Sequence, residues 1–394
     1  MSVHKFSWKV DSNPNNLPRV GIVRYGAFGD TVQAASVCRQ LKKQGYHVTL
    51  FCSYPASEVI ALDPHVDEKI VQMVNQVPPA WLGPYWVWMR NNWRGKPFDK
   101  WINLCESVEA NLLAMEGNIR FEWSPKPRHE AMNVNYVEWC HKLAGVPHDP
   151  WFEFFPTEDE KKWAEQELSR MRKVGITKFI LWSLAGSSRS HKVYPHQASI
   201  WRHVLKHYPE WGVVTVGDGS CAPFEKAFES EPKIWRTSGK WNIRQVLTMA
   251  TRHAAVVVGP ETGVMSACAF YPMPKVVFLS HSTVENLTRD WKNTTSLWAP
   301  STICPGRGMN EAPACHMIHQ KFEPGCRRNE QFGVAQCVFE IKPEWTWEVL
   351  QRCMNEGVAP LWTPPLDVLS SGIEQPIIFK PVPPQAPSVE DVPT

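Results

Sequence analysis

One pattern limits this chain more than any other: short apolar runs that pass through glycine-bearing turns straight into helices. Val20-Gly21-Ile22-Val23-Arg24-Tyr25 reads as a strand and Gly26-Ala27-Phe28-Gly29-Asp30 as a turn. A helix follows from about Thr31 to Lys43, stopped by Gly45, and His47 to Cys52 reads as a second strand. That is a βαβ unit, whose right-handed crossover makes its two strands parallel. Parallel sheets are covered by helices on both faces, so the fold class is α/β.

The same grammar returns near Lys178. Strands are expected at Phe179–Ser183, Gly212–Gly217, Ala254–Val258 and Lys275–Leu279. Helices are expected from Pro195 to about His207, over Ile243–Arg252 with Asn242 as N-cap, and over Gly263–Phe270. A last helix opens at Pro343 and runs from Glu344 to about Asn355; nine prolines then fall between Pro360 and Pro393. The length, 394 residues, suits two domains of roughly 100–200 residues each. The expected division is an N-terminal Rossmann-like domain over 1–160, a second over 175–340, a closing helix over 341–357 and a Pro-rich tail over 358–394. Two such domains in tandem leave a cleft between the carboxyl ends of their sheets, where ligands of open α/β sheets bind.

Composition removes several classes of function. A net charge of +3, from 42 basic and 39 acidic residues, argues against a protein that coats nucleic acid. No apolar run approaches the ~20 residues of a membrane span. The first residues lack the apolar stretch of a secretory signal, so a cytoplasmic location is expected.

Three loops carry groups suited to chemistry. Asp30 follows Gly29 where strand turns to helix; it reads either as an N-cap in a box with Gln33 or as a cleft carboxylate acting as general base. Between a strand and a helix, Ala185-Gly186-Ser187-Ser188-Arg189-Ser190-His191-Lys192 combines small hydroxyl residues with cations, as a phosphate-binding loop does. Gly259-Pro260-Glu261-Thr262-Gly263 ends a strand and opens a helix, with Glu261 readable as a carboxylate that offsets the helix dipole. The glycine spacing in the first turn is not that of a dinucleotide fingerprint.

In this order and spacing the three loops resemble the ADP-heptose:lipopolysaccharide heptosyltransferases of glycosyltransferase family 9, which have the GT-B fold of two Rossmann-like domains facing a cleft. The likeness covers about residues 19–357. It implies that Asp30, in Ala27-Phe28-Gly29-Asp30-Thr31, is the general base. It likewise assigns Lys192, ahead of the aromatic–Pro pair Tyr194-Pro195, to the donor diphosphate. Gly29, Ser187, Ser188, Glu261, Thr262 and Gly263 would bind the donor. The family's Asp-Thr-Gly-x-x-His turn departs here to Glu261-Thr262-Gly263-Val264-Met265-Ser266. No Asp-x-Asp occurs in the sequence, so no metal-bridged diphosphate is indicated and no cofactor is required. The resemblance thus implies an inverting, metal-independent transfer of a heptose-like sugar from a nucleotide-activated donor, ADP-linked by preference, to a saccharide such as lipopolysaccharide core.

Other readings share the scaffold. One keeps the donor and changes the acceptor to a protein hydroxyl or a hydroxymethylated DNA base. Another is a non-catalytic module that binds sugar nucleotides or nucleic acid. A third is a sugar-nucleotide epimerase, which would need His281 or Glu285 in the cleft. The tryptophans from Trp81 to Trp101, interleaved with Arg90, Arg94, Lys96 and Lys100, read as core packing or as an unusual acceptor surface. Of eleven cysteines, seven (Cys38, Cys52, Cys105, Cys140, Cys221, Cys268 and Cys353) read as buried thiols. Cys304, Cys315, Cys326 and Cys337 recur every eleven residues near His316 and His319. They read as buried thiols or as a structural zinc or iron site.

Overall fold

The structure, a computed structural model, describes residues 13–72, 79–106, 134–185, 192–299 and 333–363. Two wholly parallel sheets organise it. The first contains β1 (Arg19–Arg24), β2 (His47–Cys52), β3 (Glu68–Val71) and β4 (Lys100–Asn103), in the order β3-β2-β1-β4. In the second, β5 (Lys178–Ser183), β6 (Trp211–Val216), β7 (Ile234–Arg236), β8 (Val256–Pro260), β9 (Lys275–Phe278) and β10 (Thr294–Leu297) lie in the order β10-β9-β8-β5-β6-β7.

Strand order fixes where ligands can enter. In the first sheet the chain winds one way from β1 to β2 and β3, then returns to β4 on the other side of β1. The second sheet reverses in the same manner at β5, which pairs with β6 on one side and β8 on the other. Crevices open at such reversals, beyond the carboxyl ends of the strands. The turns after β1, β5 and β8 are the three loops singled out above.

The main helices are α1 (Phe28–Lys43), α2 (Pro79–Asn92), α3 (Tyr136–Ala144), α4 (Glu158–Lys173), α5 (Gln197–His207), α6 (Ile243–Arg252), α7 (Gly263–Cys268) and α8 (Pro343–Glu356). Strand residues alternate between two cores, as the period of two requires. In β5, Phe179 and Leu181 face one apolar cluster while Ile180 and Trp182 face the other. The first cluster continues across both sheets: Val20, Ile22 and Leu50 share it with Leu247, Met265 and Val277. The two sheets are therefore joined by buried apolar surface under α1, α6 and α7.

The tryptophan-rich stretch is mostly packing. Trp86 and Trp93 are buried with Tyr25, Phe51, Met89 and Phe98 against the far face of the first sheet. Two of its cations serve the same domain: Arg94 pairs with Glu68, and Lys100 Nζ donates to the Ala144 carbonyl at 2.6 Å, while Arg90 and Lys96 are exposed. Trp88, half exposed, stands apart from this cluster. The seven scattered cysteines are all buried thiols outside any disulfide, and burial pushes Cys268 and Cys353 up to about 12.

Candidate active site

β1 ends in Arg24, which is buried just beyond the apolar run Val20–Val23. A buried charge needs a partner, and Arg24 finds it in Asp30. The chain reaches that pairing through Gly26, at φ +139°. A Cβ at Gly26 would overlap the Asp30 carboxylate, so glycine is what allows the acid to fold back over the turn. Asp30 Oδ1 accepts from Arg24, and Oδ2 accepts the Ala27 N–H at 2.6 Å.

This corrects the expected cap. Helix α1 begins at Phe28 with Ala27 as N-cap, so Asp30 is already the third helical residue and caps backwards. Gln33 does not close a box; its Oε1 faces the Cys140 thiol at 3.9 Å.

Across the cleft, Lys192 is nearly buried and its Nζ donates to the Glu261 carbonyl at 2.7 Å. Two residues on, Tyr194 is anchored in the second core. That ring stacks on Phe278 with centroids 4.1 Å apart, and its hydroxyl meets Thr346 Oγ1 at 2.9 Å. Ser187 and Ser188 lie outside the described residues.

Glu261 is the most heavily bonded acid of the site. Oε1 accepts the Ser280 N–H at 2.8 Å and the Ser282 N–H at 3.0 Å. Oε2 accepts the Ser280 hydroxyl at 3.3 Å and pairs with His281 Nδ1. Burial alone would raise its pKa; His281, Lys192 and the Ser282 N–H outweigh burial and hold the carboxyl far below its usual range. Next to it, Thr262 caps α7 by accepting the Met265 N–H at 3.5 Å, and its hydroxyl pairs with Ser183 Oγ at 3.1 Å.

The two turns meet. A Cβ added to Gly29 would lie 3.2 Å from Ser266 Oγ, and one added to Gly263 would overlap Phe28 and sit 3.0 Å from Gly29 N. The structure thereby brings Gly29 and Asp30 beside Thr262 and Gly263, with Glu261 and Lys192 immediately behind. Gly263 is needed for this approach of backbone to backbone, whereas a side chain at Gly29 would press only on the Ser266 hydroxyl.

Sequence reasoning missed Arg24 and Ser183, and it did not foresee that the Ser280 and Ser282 amides bind Glu261. Arg24 had a signal: a charge next to the apolar run Val20–Val23 needs a counter-charge once that run is buried. His281 does lie inward, but bound to Glu261, whereas Glu285 is exposed and paired with Arg289. Of the late cysteines, Cys304, Cys315 and Cys326 lie outside the described residues; Cys337 donates its thiol to the Ser280 carbonyl at 3.8 Å. Among the described residues no group of three or more His, Cys, Asp or Glu is placed to hold a metal. Among them, too, no helix is long and apolar enough to cross a membrane.

No family model matches the chain, and no curated protein matches its sequence. Solved structures do match in fold. The ADP-heptose lipopolysaccharide heptosyltransferase II of E. coli superimposes with a TM-score of 0.58 at 15% identity, over 86% of this chain and 99% of that one. A glycosyltransferase family 9 protein from Veillonella parvula gives 0.53 at 15% identity, over 71% and 86%. The iron-containing dodecameric glycosyltransferase TibC of enterotoxigenic E. coli gives 0.52 at 9% identity, over 86% and 78%. The chain thus has the two-domain GT-B fold of the heptosyltransferases.

Proposed function

We propose that this protein is an inverting glycosyltransferase that moves a sugar from a nucleoside-diphosphate donor to a hydroxyl acceptor. The observation that carries this reading is the meeting of the Gly29-Asp30 turn with the Thr262-Gly263 turn, beside Lys192, at the strand-order reversals of both sheets. A carboxylate on one side of a cleft and a cation with a glycine-bearing turn on the other are the parts that direct displacement at an anomeric carbon requires.

The acceptor oxygen attacks the anomeric carbon from the Asp30 side while the bond to the diphosphate oxygen breaks on the other. Asp30 receives the acceptor's proton. With both oxygens already engaged, it does so late, once the acceptor oxygen has gained positive character. Lys192, Thr262 and Gly263, with Ser187 and Ser188, hold the diphosphate as its charge grows, and configuration inverts. The fold likeness favours an ADP-linked heptose-like donor and a saccharide acceptor. Lys192 takes the electrostatic part that a bridging metal plays elsewhere, so transfer proceeds without added magnesium.

Asp30→Asn tests the assignment, because the amide oxygen can still accept the Ala27 N–H. Transfer should fall by about 10²–10⁴ while nucleotide affinity stays within about threefold, and the product anomer should be inverted by NMR. Near-full transfer by a folded Asp30→Asn protein, or a retained anomer, refutes it.

A further inference from the structure

Glu261 stands where a donor-binding acid would be expected, yet its carboxylate is turned into the protein. We infer that Glu261 is a positioning residue that fixes Lys192 for the donor diphosphate by pinning its own backbone to the Ser280–Ser282 segment. This rests on the donor site proposed above.

The geometry supplies the argument. Lys192 Nζ docks on the main-chain carbonyl of Glu261, so the place of the cation follows from the place of residue 261. That residue lies at the exit of β8, where the chain turns towards α7. Its side chain spans to the segment beyond β9 and takes two backbone N–H groups on one oxygen. The far side of the segment is held too, because Cys337 donates its thiol to the Ser280 carbonyl. Charge-assisted bonds to buried N–H groups are strong, and a buried donor left without its acceptor is costly.

Reach, rather than charge, is the quantity that matters. Aspartate is one methylene shorter and cannot span to both amides. Glutamine has the same length: its Oε1 can keep both N–H bonds, and its amide nitrogen can donate to His281 Nδ1 in the tautomer that accepts there. The two substitutions should therefore act oppositely to a simple ranking by charge.

The test is a double-mutant cycle on ADP affinity by calorimetry, with thermal unfolding to confirm that each variant folds. Glu261→Asp should weaken ADP about tenfold, and Glu261→Gln by less than about threefold. In a Lys192→Ala background the Asp substitution should add less than about twofold, since its effect runs through the lysine. An Asp effect that persists undiminished without Lys192 overturns the inference, as does a Gln loss as large as the Asp loss, or no loss in either. If Glu261→Asp fails to fold, Glu261→Met, which keeps the length but accepts neither N–H, takes its place in both backgrounds on the same criteria. A wild-type protein that binds no ADP refutes the donor site itself, and this inference falls with it.

Discussion

Arg244 on α6 ties together segments far apart in sequence, and removing it should cost the fold heavily. Its Nε and a terminal nitrogen grip Glu160 at 2.6 and 2.8 Å; the guanidinium also donates to the Glu58 and Phe155 carbonyls, each at 2.9 Å. The ring of Phe154 lies 4.7 Å beneath it. Both charged side chains are largely buried, 10% exposed for Arg244 and 18% for Glu160. Breaking a fully buried pair from one side costs about 3–5 kcal/mol. Because Glu160 can be partly rehydrated, about 3 kcal/mol is expected for Arg244→Ala, or roughly 5–10 °C in Tm.

The loss should also depend on pH, with a definite sign. Burial pushes the Glu160 carboxyl up, but Arg244 and the Thr157 N–H more than offset this and hold it below its ordinary 4.5. A depressed carboxylate contributes stability in full above its unfolded-state pKa and loses it as pH falls through the folded-state value. Wild type and Arg244→Ala should therefore differ most near neutrality and converge in acid. Chemical denaturation from pH 7 to pH 3 measures this. A deficit under about 1 kcal/mol, or one unchanged in acid, refutes the assignment of Arg244 as a buried ionic tie.

Two further predictions concern single side chains. Gly263→Ala should destabilise by about 1–3 kcal/mol, since its Cβ would overlap Phe28 where the two turns meet; an unchanged urea midpoint contradicts that packing. Lys275 is fully buried in β9, donating to the Tyr271 and Met273 carbonyls at 2.7 and 2.8 Å. Burial lowers its pKa to about 8, so wild-type stability should rise between about pH 8 and the lysine's usual 10.5. Lys275→Met should remove that rise, and a slope identical in both proteins contradicts it.

Much of the architecture was legible because the second domain follows its local signals. Helix α6 occupies Ile243–Arg252, with Asn242 accepting the Gln245 N–H as the sequence suggested. Helix α4 was missed although Thr157 and Glu160 form a capping box. Only Ala164, Glu167 and Met171 are buried along it, too few to show an apolar stripe. Helix α2 hides behind Pro84 in its interior, and its tryptophans gave no period because Trp86 is buried against the first sheet while Trp88 stands exposed. At the site, the positions of Asp30, Lys192 and Gly263 were readable from turns between strands and helices. Their partners were not: Arg24 and the Ser280–Ser282 segment join the site only through tertiary contacts, which sequence spacing does not encode.

The most direct test of the account is calorimetric titration of the purified protein with ADP, UDP, GDP and CMP, with and without magnesium. The account predicts selective ADP binding that is indifferent to magnesium and weakens in Lys192→Ala. Preference for another nucleotide would contradict the ADP-linked donor, and binding of none would contradict a donor site where the two turns meet.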